Sequence, residues 1–73
     1  MANFRIILTP NSDEDLMYQW DITCRDIEQA QAQAKAYLGM SGTRFKSATI
    51  LSSWKSSTSW RQATNPIINN FNL

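Results

Sequence analysis

Seventy-three residues, 42% of them hydrophobic and 18% charged, with three Trp, three Phe and two Tyr, describe one small globular domain over 1–73 and exclude a disordered chain. There is no histidine, which excludes Ser-His-Asp and Cys-His catalysis, His-ligated zinc and an imidazole general base. The net charge of +1 conceals an asymmetry: two bases against six acids up to Glu28, then five bases and no acid from Gln29 to Leu73, a polarity that often folds into opposed surface patches.

In "NFRIILT", Phe4, Ile6 and Leu8 fall on one side and Arg5, Ile7 and Thr9 on the other, the spacing of a strand. "PNSDED", from Pro10 to Asp15, reads as a turn. Asn11, Asp13 and Asp15 alternate like the opening of a calcium loop, but Leu16 stands in the glycine position and Ile22 in that of the bidentate glutamate. A solvated turn is therefore expected. Next, Leu16, Tyr18, Trp20, Ile22 and Cys24 alternate with Met17, Gln19, Asp21, Thr23 and Arg25, which predicts a half-buried strand paired with the first as a hairpin. Cys24 is the only cysteine, so no disulfide forms within the chain, and its parity with Trp20 and Ile22 makes it a core residue rather than a nucleophile.

The period then changes to that of a helix. Asp26 is the expected N-cap, with Gln29 in the capping-box position; Ile27, Ala30, Ala34, Tyr37 and Leu38 share one face, and Gly39 is the expected C-cap. "GMSG" resembles the GXXG loop of KH domains in four letters, but it joins a helix to a strand and reads better as a C-cap turn. It lacks the GK[ST] of a P-loop.

"RFKSATILSSW" and "TSWRQAT" predict a second hairpin, turning near Lys55 to Ser57. Ala48, Ile50 and Trp54 share one side of its first strand, and Phe45, Thr49 and Leu51 the other, so the buried face is ambiguous unless a β-bulge reconciles the two. The strand lacks the glycine-aromatic spacing of the RRM motif. The tail, 64–73, begins a helical turn at Pro66 or lays Ile67, Ile68 and Phe71 down as an added strand.

The expected fold is α+β, in β-β-α-β-β order. Four mainly antiparallel strands carry one helix on one face, and the tail adds a short strand or helical turn. The other face stays open, with Ile7 and Met17 bare.

The candidate binding residues are Arg44, Lys46, Trp54, Lys55, Trp60 and Arg61, bases and tryptophans of the second hairpin. Against nucleic acid, they supply phosphate contacts and stacking rings; the sequence pI of about 7.9 is low for such a module. Against a protein, they are the residue types that dominate interface energetics. The expectation is a non-catalytic protein-binding domain without cofactor or metal. The other two readings are a nucleic-acid module and a homodimer through the open face. In size and element order, though not in any motif, the chain compares with phage and mobile-element proteins that block host machinery, anti-CRISPR inhibitors among them. "MANFRIILTPNS" lacks the apolar core and cleavage site of a leader, and no run approaches the ~20 apolar residues of a membrane span, so a cytoplasmic setting without membrane contact is expected.

Overall fold

The structure of the chain, a computed structural model, describes residues 2–53 and 59–69. Within them follow β1 (Ala2–Pro10), β2 (Tyr18–Cys24), α1 (Ile27–Ser41), β3 (Phe45–Ser53), β4 (Arg61–Gln62) and β5 (Ile67–Ile68). The sheet is antiparallel throughout, in the order β2-β1-β3-β4, and β5 also pairs with β3. This is the expected α+β fold, and the tail takes the strand option. β1 pairs along the whole of β3, so β4 and β5 lie in succession on the opposite edge of β3.

Parity in β1 decides the core. Phe4, Ile6 and Leu8 are buried beneath the helix, and directly opposite pairs such as Ile6–Ile50 and Leu8–Ala48 carry the same face into β3. Ala30, Ala34 and Leu38, spaced by four, are the buried helix residues, and the two alanines bring the helix close to the sheet. Ile6 and Ile50 are fully enclosed, and a side chain of that size stabilises by roughly 1.5–3 kcal/mol on burial. No residue of β2 is buried: the helix covers β1 and β3, and Trp20, Ile22 and Cys24 pack against its flank half-exposed.

The conflicting parity of β3 is resolved by a bulge. Thr9 pairs with Ser47 but Pro10 pairs with Phe45, so Lys46 is the extra residue. The extra residue turns Phe45 onto the helix side with Ala48 and Ile50, and all three are buried. β2 is shorter than expected. It begins at Tyr18, the partner of Leu8, and Leu16 and Met17 precede it outside the ladder, because β1 beyond Leu8 pairs only with β3. β4 is limited to Arg61 and Gln62, and the expected turn at Lys55 to Ser57 lies outside the described residues, as do Trp54 and Phe71.

Asp26 caps the helix as expected, accepting from Gln29 N–H at 3.1 Å, while the Gln29 side chain accepts from Arg25 N–H at 2.9 Å. The C-terminus departs from expectation. The helix passes through Gly39 to Ser41 and stops at Gly42, whose φ of 62° is one that L side chains rarely adopt. The group that holds this C-cap lies 27 residues downstream. The Asn69 carboxamide, 3% exposed, donates to Gly42 O at 2.6 Å and Phe45 O at 2.7 Å, and the Asn69 backbone N–H donates to Lys46 O at 2.9 Å. A tail residue thus ties the C-cap carbonyl of Gly42 to the start of β3. Among the described residues no helix is long and apolar enough to cross a membrane.

Candidate functional site

The six sequence-predicted residues do not form one cluster among the described residues. Arg44 lies in the turn before β3, its guanidinium carbon 5.3 Å from the Phe45 ring centroid, and Lys46 is exposed at the bulge. Trp60 and Arg61 stand at the other end of β3, where Arg61 pairs with Ser52. Six steps along the strand carry Lys46 to Ser52, about 20 Å. Trp54 and Lys55 lie outside the described residues.

Trp60 meets a residue that sequence reasoning did not single out. The Arg5 guanidinium carbon lies 4.3 Å from the Trp60 ring centroid. On its other side Arg5 grips Asp21, with Nε donating to Oδ1 at 2.7 Å and Nη2 to Oδ2 at 3.1 Å. This hydrogen-bonded pair holds the Asp21 carboxyl below the usual carboxylate range. Thr23 Oγ1 donates to Asn3 Oδ1 at 2.9 Å on the same face. The face away from the helix, expected to lie bare, is thus crossed by polar cross-strand pairs and partly roofed by Trp60. Ile7 is half-buried there, and Met17 is not in the strand.

The charge asymmetry of the sequence is interleaved by folding. The acidic turn carrying Asp13, Glu14 and Asp15 lies beside the turn carrying Arg44: Asn11 N–H donates to Arg44 O at 3.0 Å, and the Asn11 side chain donates to Thr43 O. Among the described residues no three cysteine or acidic side chains converge as a metal site would require. Cys24 is half-buried, and its thiol donates to Asp26 O at 3.3 Å.

Exposed apolar residues gather at the end of the molecule where α1 stops. A groove of about 310 Å³ is lined there by Leu8, Tyr18, Tyr37, Met40, Arg44 and Phe45, with Ser41 completing it. Leu8 and Phe45 are core residues and form its apolar floor. Tyr18 is 58% exposed, Tyr37 44% and Met40 80%, while Leu16, next in the chain to Met17 and Tyr18, is 87% exposed. The rings interlock: Trp20 lies 5.8 Å from Tyr18 and 4.7 Å from Tyr37, centroid to centroid, both tilted. Such pairs add about 0.5–1.5 kcal/mol beyond their burial and hold the tyrosines in place.

The sequence shows half of this groove. Its period sets Tyr37 on the inner helix face, whereas the ring lies at the flank, and a helix ending at Gly39 leaves Met40 out. Extending the helical period one turn sets Met40 three residues after Tyr37. The groove offers apolar contact, two phenol hydroxyls and one guanidinium. Compared with known proteins, the chain matches no family model, no curated protein and no solved structure.

Proposed function

We propose that this chain is a non-catalytic protein-binding domain and that the groove of Tyr18, Tyr37 and Met40 is its contact surface. One observation carries the reading: large apolar side chains stand exposed around a hollow floored by the core residues Leu8 and Phe45. Tyr, Met and Arg are enriched at interfaces, and a preformed hollow beside them suits a protruding apolar side chain. Arg44 on the rim favours a carboxylate next to that anchor.

Nucleic acid is the weaker reading. Among the described residues Arg5 is committed to Asp21, Arg44 neighbours the acidic turn, and Arg61 stands at the far end of β3, so the bases make no continuous track for a phosphate backbone. A domain of this kind acts by occupying a partner's surface. Blocking host machinery, as phage-encoded and anti-CRISPR inhibitors do, is the form that its size and element order support. We assign it to the cytoplasm, where its one thiol stays reduced.

Affinity capture from host extract tests the reading. The wild type should retain a protein that Met40→Glu loses at unchanged melting temperature, while Lys46→Glu retains it. Equal capture by wild type and Met40→Glu would remove the groove. Retention of nucleic acid, falling steeply with salt, would replace the protein reading altogether.

A further inference from the structure

We infer that two copies of this chain pair through the free edge of β2, antiparallel and centred on Trp20, to make one continuous sheet. The inference does not rest on the groove. Among the described residues β2 pairs with β1 alone, so every second residue along its outer edge presents an open backbone donor and acceptor. Strands with such edges recruit further strands unless they are short, charged or covered. β2 carries one charge, Asp21, which Arg5 neutralises. It is also the one long strand without a buried residue, although Trp20, Ile22 and Cys24 face the helix side.

Charge and parity select the occupant and the register. In an antiparallel pair, opposite residues share a face, so a two-fold centred on Trp20 sets Tyr18 against Ile22 of the second copy on the helix side, and the pairing extends the ladder to Leu16, which precedes β2, setting it against Cys24 of the second copy. On the other side Met17 meets Thr23 and Gln19 meets Asp21. Beyond the ends of β2, Asp15, in the turn that leads into the strand, comes level with Arg25 of the second copy. The side chain of Arg25 is 77% exposed and its nearest carboxylate is Asp26, 3.5 Å away. Centring on Asp21 instead would oppose two carboxylates and set Arg25 against Met17, while centring on Gln19 would set Met17 against Asp21. Like charges and mismatched pairs across strands are destabilising. Every register in which opposite positions differ in parity would turn the apolar side of one copy onto the polar side of the other.

The geometry leaves room for both helices. With two β2 strands between them, the β1 strands lie three spacings apart, about 14 Å. Each helix lies over β1 and β3, farther out still, and packed helices need only ~8–10 Å. The exposed Leu16 and Tyr18 then acquire neighbours, and the Tyr18–Trp20–Tyr37 cluster continues across the two-fold.

Sedimentation velocity and crosslinking test this with the intact chain. The wild type should sediment at twice its 8.4 kDa mass at high micromolar concentration. Asp15→Lys and Arg25→Glu should each shift it toward the monomer, and the double variant should restore the dimer. Under mild oxidation Leu16→Cys should give a covalent dimer through Cys24, since opposed strand residues lie within disulfide reach. Adding Cys24→Ser should abolish it. A wild type that stays monomeric would overturn the pairing. So would a dimer indifferent to both charge changes but dissociated by Ile7→Lys, which belongs to the opposite sheet face. Crosslinking by Tyr18→Cys but not by Leu16→Cys would overturn the register. Met40→Glu, which tests the groove, should leave the mass unchanged, so the two readings fail separately.

Discussion

The side-chain amide of Asn69 donates to the carbonyl of Gly42 at 2.6 Å, so the residue that follows β5 holds the C-cap of α1. The same amide reaches Phe45 O at 2.7 Å, so one buried group ties together the helix end, the start of β3 and the tail.

Asn69→Ala removes the donor that Gly42 O and Phe45 O share, a loss of about 1–3 kcal/mol if water cannot replace the amide. Asn69→Asp should be worse, because it buries a charge and cannot donate when ionised. Urea unfolding should show both midpoints lowered, in that order, with the slope unchanged.

The two glycines should respond in opposite directions. Gly39 lies in the last turn of α1 with open space around its Cα, so Gly39→Ala should stabilise by roughly 0.4–1 kcal/mol. Gly42 also has space, but at φ +62 a side chain is strained, so Gly42→Ala should destabilise by about 1–3 kcal/mol. Thermal melts of the two variants should move apart; parallel shifts would place the helix end elsewhere.

Ala34 is fully buried where α1 meets the sheet, whereas Ala32 is exposed. Ala34→Leu should overpack that contact and cost roughly 1–3 kcal/mol. Ala32→Leu should stay within about 0.5 kcal/mol. Equal melting temperatures would contradict the helix orientation.

The Arg5–Asp21 pair predicts an acid limb. Hydrogen bonding to Arg5 lowers the Asp21 pKa in the folded state, so the pair's contribution is present above the usual carboxylate range. It is lost as pH falls through the lowered value. Asp21→Asn should melt lower than wild type near neutrality, and the gap should close on acidification. Because both groups are reached by solvent, added salt should narrow the gap as well.

What the sequence by itself determined was local. Two-residue alternation placed Phe4, Ile6 and Leu8 inward, the change of period at Asp26 located the helix start, and Ala30 and Ala34 marked its buried stripe. These rest on contacts within a few residues, and side-chain direction follows from spacing alone. Tertiary structure decided the rest, each time through a partner distant in sequence. Phe45 and Ala48 share a face only because Pro10 shifts the register and leaves Lys46 over as a bulge. α1 runs past Gly39 to a C-cap at Gly42 that Asn69 holds from the tail. Ile67 and Ile68 became a strand because β4 leaves that edge of β3 open beyond Gln62. The groove of Tyr18, Tyr37 and Met40 was hidden for the same reason: its sides come from β2 and the last turn of α1, and only pairing β1 with both β2 and β3 brings them together.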